Sequence, residues 1–523
     1  MIRFLKNKIF RIEIILLLPV IALTVLFRLP GYIPFTWKSD ELDYLSAVQD
    51  FLSGGTLYIT YGDLKPPLLF GLYALACQVG GSIDIVFIKH MGVLFSIVSV
   101  VAIFFVARQL GDNRLAFISA LLFALYSICA RGEEMLATNS ELLMNTFILP
   151  AYLLFFAYLQ NPKNRLFMIF AGIFLSAGFL INQKAGINLV VFISVLLYVS
   201  FSHQSYKKFL TPIIQLLTVF ILPIILLLIY YAYIGGLQEL YYWLVKMPNA
   251  YIGTYDIAGR MARIGTRFGI FFSGYWALLL PFMVGLICIV RQHYYRQATW
   301  LTLLLYLFFS TIAVIVGGKM MERYFIQLLP PFIIISAFGL LTLYRAVEIF
   351  IEEKEDYYKY VLQLLFVLIL LISPLNYLHQ HQNTTKPKTE FIENHPALKQ
   401  IKTIIHANTA HSDKIFVFPK DHYYYYFLQR ANATRFNEIE THLSKARMYP
   451  EENTLFQQGW QKLFSDLNNN QAKFIIDISG KFGFKEGESG HIRNQKEKLK
   501  QYIEKKYKEV GVFAGNRLFQ LKT

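Results

Sequence analysis

The stretch Pro66-Pro67-Leu68-Leu69-Phe70-Gly71-Leu72-Tyr73-Ala74-Leu75-Ala76-Cys77-Gln78-Val79-Gly80 decides how the rest of the chain is read. It is apolar, yet as a helix it reaches only about 22 Å, short of a hydrocarbon core of about 30 Å, and it opens on two prolines. It therefore reads as a helix lying in the interface. Eleven other apolar runs are candidates to cross the bilayer: about 12–29, 86–107, 115–131, 141–160, 166–182, 187–202, 209–233, 271–290, 299–317, 324–344 and 360–378. One span more or less inverts every later loop, so the charges test the choice. With 66–80 not crossing, Arg108 and Arg114, Lys163 and Arg165, Lys207 and Lys208, Arg291 and Arg296, and Arg345 with Lys354 and Lys359 all fall in short loops on the side of the amino terminus. Short basic loops belong in the cytoplasm. The other side then receives 30–65, 132–140, 183–186, 234–270, 318–323 and the tail.

Composition agrees with a membrane protein. The 523 residues are 55% hydrophobic, 16% aromatic and only 16% charged, with a mean hydropathy of +0.43, well beyond an ordinary soluble domain. The formal charge of +16 is spent largely on those loops, and no basic stripe on a soluble fold supports a nucleic-acid partner. The first apolar run follows Arg3, Lys6, Lys8 and Arg11 like a signal peptide, but it ends at Phe27-Arg28-Leu29-Pro30 without a small-residue cleavage site and reads as a retained span. Cys77, Cys129 and Cys288 lie in or beside apolar segments and say nothing about compartment.

The division expected is a membrane domain over 1–378, a polar linker over 379–389 and a soluble α/β domain over 390–523. In the tail, Lys414-Ile415-Phe416-Val417-Phe418-Pro419 and Lys473-Phe474-Ile475-Ile476-Asp477-Ile478-Ser479 read as buried strands, with helical patterns near 456–468 and 492–507. The tail carries no phosphate-binding glycine motif, so no nucleotide is assigned to it.

Charged groups gather in the outer loops. The first holds Asp40-Glu41-Leu42-Asp43-Tyr44 and, some twenty residues on, Asp63-Leu64-Lys65-Pro66-Pro67. Acids of this kind cap helix starts; equally, carboxylates at the membrane surface accept a proton or hold a cation, and Lys65 can meet an anion at headgroup level. Glu133, Glu134 and Glu141 precede the fourth span, where Glu141 is either a carboxylate favoured by the helix dipole or part of a site. Lys246, Arg260, Arg263 and Arg267 in the 234–270 loop, and Lys319 and Arg323-Tyr324 before the tenth span, run against the positive-inside bias. They are tolerated loop charges or ligands for a phosphate or pyrophosphate, for which arginine offers a two-pronged fork.

Taken together, Asp40-Glu41-Leu42-Asp43-Tyr44, Lys65-Pro66-Pro67-Leu68, Asn139-Ser140-Glu141 and Arg323-Tyr324-Phe325-Ile326-Gln327-Leu328-Leu329-Pro330-Pro331 resemble the dolichyl-phosphate-mannose-protein mannosyltransferase-like group. That group includes the bacterial aminoarabinose lipid A transferases (glycosyltransferase families 39 and 83), and its fold is GT-C. The resemblance covers about residues 10 to 378 and implies a polytopic α-helical membrane protein of about eleven spans that moves a sugar from a polyprenyl phosphate to an acceptor outside the cytoplasm. It implies Asp40 as catalytic carboxylate and Glu141 as the second acid of the site; in the mechanism expected from it, Glu41 and Glu141 position the acceptor or a divalent cation. It implies Lys65 as a phosphate ligand, beside the outer-loop candidates Arg260, Arg263, Arg323 and Tyr324. Many relatives have His-Tyr where this chain has Arg323-Tyr324, so no role of that histidine carries over.

The expected partners are a polyprenyl-phosphate sugar donor, a lipid, glycan or protein acceptor, and membrane lipids. Metal use stays open, because carboxylates such as Asp40 and Glu141 would suit Mg or Mn although no His/Cys ligand spacing is visible. The expected location is the inner or plasma membrane, with a cytoplasmic amino terminus and an extracytoplasmic tail. A transporter fits less well, because its charges would sit in mid-span. An O-antigen polymerase or ligase is set aside by the Asp-Glu and Lys-Pro-Pro elements of the first loop.

Overall fold

A computed structural model describes residues 8–32, 39–129, 133–202, 206–252, 256–351, 356–383, 396–419, 422–437, 439–443 and 454–522. All eleven apolar runs form helices. Among the described residues seven helices are long and apolar enough to cross a membrane: Ile85–Arg108, Ser140–Gln160, Gln183–Ser202, Leu210–Tyr233, Ala298–Val316, Glu322–Ile349 and Gln363–Gln380. An eighth span results if Ile257–Gly274 and Trp276–Arg291, bent by 100° at Tyr275, are counted as one. Leu17–Tyr32, Asn113–Tyr126 and Leu166–Ile181 are apolar but shorter, and so is Pro67–Gly80. The Asn113–Tyr126 helix begins where the Asp112 carboxylate accepts the Leu115 N–H at 3.0 Å, and it stops before residue 131. The chain is thus a multi-pass membrane protein.

The expected outer loop at 234–270 is largely helical. It holds Leu237–Tyr241, a π-turn at Tyr242–Lys246, Met247–Ile252 and the start of Ile257–Gly274. In the last of these, Arg260, Arg263 and Arg267 recur every three or four residues and share one face. Ile257 and Met261 are exposed, which gives the helix the two-faced character that the plain charge count hides.

The chain forms two compact units, each assembled from three separated segments. The first joins residues 1–36, 89–227 and 257–385 and holds most of the long apolar helices. One close crossing pairs Trp276–Arg291 with Leu329–Ile351, where Gly285 and Gly339 let the backbones meet. A Cβ on Gly339 would lie 1.8 Å from the Pro281 carbonyl oxygen, and one on Gly285 would lie 2.3 Å from that of Ile335. Small residues at a crossing are what helices in lipid need, where packing replaces the hydrophobic drive. The last helix, Asp356–Asn383, runs through the first residues of the expected linker, whose remainder lies outside the described residues.

The second unit joins residues 37–88, 228–256 and 386–523. Its sheet has the order β1-β2-β4-β3, with β1 Ile415–Phe418, β2 Phe474–Asp477, β3 Tyr507–Phe513 and β4 Asn516–Leu521. The first two strands are parallel and fully buried, as their unbroken apolar sequence predicts. The last two form a hairpin whose turn, Ala514-Gly515, has φ of +48° and +81°, the double left-handed geometry that matches strand twist. The expected helices at 456–468 and 492–507 are Thr454–Asn470 and Gly490–Lys506. Leu398, Ile401, Ile405, Val417, Tyr425, Phe474, Ile476 and Leu518 make the core between helix and sheet.

Candidate functional site

In the first unit, Glu141 opens the Ser140–Gln160 helix. Asn139 caps that helix by accepting the Leu142 N–H at 2.9 Å and donates its own amide to the Glu134 carbonyl. Glu141 is fully buried. Ser140 Oγ donates to its Oε2 at 3.0 Å, and Lys184 Nζ stands 3.2 Å from its Oε1. Asn182 Nδ2 donates to Ser140 Oγ at 3.0 Å and fixes that hydroxyl. The Lys184 ammonium also lies 3.0 Å from the ring centroid of Tyr324, which the Arg323 guanidinium approaches at 5.6 Å. Arg323 in turn pairs with Glu134 at 3.1 Å. Glu141 and Tyr324 therefore come together around one lysine, and the Arg323–Glu134 pair stands beside Tyr324. Arg260 and Arg263 donate to the carbonyls of Val316 and Lys319 at 3.3 and 3.0 Å, while Arg267 pairs with Glu322 at 3.1 Å.

In the second unit, Asp40 and Glu41 form the first turn of Ser39–Leu52, with Asp40 partly exposed and Glu41 fully buried. Burial first, and then the charges of Glu41 and Asp40, push the Tyr73 phenol well above its ordinary range, which places both acids near that ring. Lys65 stands just before Pro66, the cap of Pro67–Gly80. Its N–H donates to Asp63 Oδ1 at 2.8 Å, and its carbonyl accepts the Tyr58 hydroxyl at 2.7 Å. Tyr58 itself is fully buried with φ of +68°, a costly conformation for a bulky residue and one often found beside working sites. Asp43 and Asp63 are both buried. Tyr61 and Asn437 donate to Asp43 Oδ1. Burial and then the Asp43 charge hold the Asp63 carboxyl well above the usual carboxylate range, against the pull of Lys65. Two carboxyls this close share a proton more readily than they carry two charges.

Residues 64–231 match the family model described as dolichyl-phosphate-mannose-protein mannosyltransferase. Among solved structures, ArnT from Cupriavidus metallidurans in the apo state aligns with a TM-score of 0.58 at 11% identity, covering 96% of this chain and 97% of that one. The same protein bound to undecaprenyl phosphate aligns with a TM-score of 0.56 over the same shares at 11% identity. The oligosaccharyltransferase AglB from Archaeoglobus fulgidus, in complex with an inhibitory peptide and a dolichol-phosphate, aligns at 0.53 and 12% identity over 89% of this chain and 69% of its own. The fold is GT-C. No curated protein sequence matches the chain.

On the GT-C scaffold, the mannosyltransferase resemblance holds over a segment that contains Lys65, Glu141 and Lys184. Lys184 was not singled out from sequence. Its signal was a lone cation in the four-residue turn Gln183-Lys184-Ala185-Gly186, between two apolar runs, on the side the sequence reading expects to be outer and where the positive-inside bias disfavours one. Among the described residues no three His, Cys, Asp or Glu side chains group as metal ligands. Glu141 is instead neutralised by the Lys184 ammonium, and Asp40 and Glu141 belong to different units.

Proposed function

We propose that the chain transfers a sugar from a polyprenyl-phosphate donor to an acceptor hydroxyl outside the cytoplasm, inverting the anomeric centre. The observation that carries this reading is the family match over residues 64–231 on a chain with the GT-C fold. Two relatives with that fold were solved with polyprenyl phosphates, undecaprenyl phosphate in ArnT and dolichol-phosphate in AglB. The acceptor is a glycolipid, a glycan or a protein hydroxyl, and the enzyme sits in the plasma membrane with its amino terminus in the cytoplasm and its tail outside.

In the proposed reaction Asp40 takes the proton of the acceptor hydroxyl as that oxygen attacks the anomeric carbon. The bond from that carbon to the phosphate oxygen breaks, and its electron pair leaves with the lipid phosphate. The resemblance assigns Lys65 to this growing charge, and Arg260, Arg263 and Arg323 are the further candidate cations from the sequence. Glu41 helps orient the acceptor. Glu141, held by Ser140 and Lys184, positions the Lys184 ammonium beside Tyr324 rather than exchanging protons itself.

The test is transfer from a radiolabelled panel of polyprenyl-phosphate sugars by the purified protein, comparing wild type with Asp40→Asn and Lys65→Ala. Loss of transfer in both variants, with folding intact, supports the assignment. An Asp40→Asn protein that folds and turns over like wild type overturns the role of Asp40. Lipid binding without transfer across the panel overturns the enzyme reading in favour of a carrier.

A further inference from the structure

Lys65 belongs to the loop between the Ser39–Leu52 and Pro67–Gly80 helices, and the tail of the chain holds that loop in place. The Lys65 backbone is gripped on both sides, its N–H by Asp63 and its carbonyl by the Tyr58 hydroxyl. The tail takes hold three and four residues earlier. Gly62 donates its N–H to the Arg435 carbonyl at 2.9 Å. Asn437 Nδ2 donates to the Tyr61 hydroxyl oxygen at 3.1 Å and to the Asp43 carboxylate, and the Tyr61 hydroxyl donates to Asp43 in turn. Trp243 closes the loop from another side, since a Cβ on Gly62 would collide with its indole ring. Asp43 lies about one turn along the helix that opens with Asp40 and Glu41. One tail amide thus ties the loop of Lys65 to the helix of Asp40.

The amide is held for its donors. Asn437 is 2% exposed, and while Nδ2 serves both acceptors, Oδ1 is buried without a hydrogen-bond partner among the described residues. Turning the amide over would set an oxygen against the Asp43 carboxylate. Leaving a buried acceptor unmatched lowers stability. Polar pairing is broken in this way mostly where a particular arrangement serves function. Here the arrangement is that of Tyr61, Asp43 and the loop leading to Lys65.

We infer that Asn437 is a positioning residue for donor binding, which rests on the proposed role of Lys65 as phosphate ligand: through Tyr61 and Asp43 it fixes the loop from which the Lys65 ammonium meets the lipid phosphate. Lysine acts on a phosphate as a point charge, so its attraction weakens with each ångström the loop drifts. Asn437 itself acts only through Lys65.

The test is binding of undecaprenyl phosphate, without a sugar, to the full-length protein in detergent, with undecaprenol as the uncharged control. Wild type is compared with Asn437→Leu, Tyr61→Phe, Lys65→Ala and the double variants Asn437→Leu/Lys65→Ala and Tyr61→Phe/Lys65→Ala, and thermal unfolding is recorded for each. Leucine keeps the volume of the asparagine and removes the amide; phenylalanine keeps the ring and removes only the hydroxyl that Asn437 reaches. The expected result is affinity for the phosphate lowered about tenfold or more in Lys65→Ala and about threefold or more in Asn437→Leu and Tyr61→Phe, with undecaprenol binding unchanged. Each double variant is expected to bind no more weakly than Lys65→Ala. If Asn437→Leu does not fold, Tyr61→Phe and its double variant carry the same comparison. Wild-type affinity in Asn437→Leu and Tyr61→Phe, beside a loss in Lys65→Ala, overturns the inference and leaves the role of Lys65 standing. So do double variants in which the losses multiply, or an equal loss of undecaprenol binding, because both are what general loosening of the unit would give. Wild-type affinity in Lys65→Ala overturns the role of Lys65, and the inference with it.

Discussion

The Lys184 ammonium stands 3.2 Å from a carboxylate oxygen of Glu141, a side chain with no exposure to solvent, and so neutralises a charge that could not otherwise stay inside the protein. Removing one member of such a pair leaves the other buried and uncompensated. Lys184→Met is therefore expected to destabilise the protein by about 3 kcal/mol, the low end for such pairs because Lys184 keeps some contact with solvent. The double variant Lys184→Met/Glu141→Gln is expected to recover most of that loss. Thermal unfolding in detergent checks both, and a double variant no better than Lys184→Met would show that packing rather than charge holds this corner.

The raised Asp63 carboxyl makes a prediction about pH. Its folded-state pKa lies above its unfolded one because of burial and the neighbouring Asp43 charge. The folded protein therefore binds more protons, and stability falls as pH rises. The contribution is fully present below the unfolded value of about 3.9 and is lost on rising through the folded value. Asp63→Asn keeps an oxygen for the Lys65 N–H and removes the titration. It is expected to flatten the fall of unfolding temperature as pH rises above about 4 and to be the more stable protein at the upper end, by roughly 1 kcal/mol for each unit of upward shift. An unchanged slope in the variant would assign the pH dependence elsewhere.

What was legible in the sequence follows from length scale. Apolar runs and short basic loops are local patterns, so the helices and the multi-pass membrane character could be read directly, as could β1 and β2, whose four residues are buried on both faces. The β3–β4 hairpin was not read, because Tyr507–Phe513 mixes exposed Lys508, Glu509 and Val510 with a bulge near Gly511 and so lacks clean alternation. The helix at Ile257–Gly274 was taken for loop because its arginines were counted as charges rather than placed on a face. At the site, Glu141, Arg323 and Tyr324 were found as types, but Lys184 gained its meaning only when a turn 43 residues from Glu141 folded onto it. The grouping of residues 37–88 and 228–256 with the tail rests on contacts such as that of Asn437 with Asp43, which no local pattern encodes.

Arg435 anchors one such contact in the second unit. Its Nε and one terminal nitrogen grip Asp466 at 2.9 and 2.8 Å, and the other terminal nitrogen reaches Glu239 at 3.2 Å. Lys462 also pairs with Glu239. A point charge cannot make the fork, so Arg435→Lys is expected to cost about 1 to 2 kcal/mol. Arg435→Met, which strips the cation from Asp466 as well, is expected to cost about 3 kcal/mol. Denaturation followed by tryptophan fluorescence reads this locally, because Trp243 and Trp460 are buried in the same unit. Equal stability of Arg435→Lys and wild type would show that charge alone suffices.

Two glycines in the first unit should respond in opposite directions to the same substitution. At Gly339 an added methyl meets the Pro281 carbonyl at 1.8 Å and the Gly285 nitrogen at 2.6 Å, both backbone atoms that can yield only if the two helices part. Gly339→Ala is expected to cost about 3 kcal/mol, the upper end for overpacking, and to lower the yield of monodisperse protein. At Gly269, inside the Ile257–Gly274 helix, nothing lies within 4 Å of the added carbon. Gly269→Ala adds no clash and removes backbone freedom from the unfolded chain, so it is expected to stabilise by up to about 1 kcal/mol. Unfolding temperatures measured side by side in one detergent decide the matter. If Gly339→Ala matched wild type, the close crossing of the Trp276–Arg291 and Leu329–Ile351 helices would not be what sets their packing, and a looser contact would have to carry it.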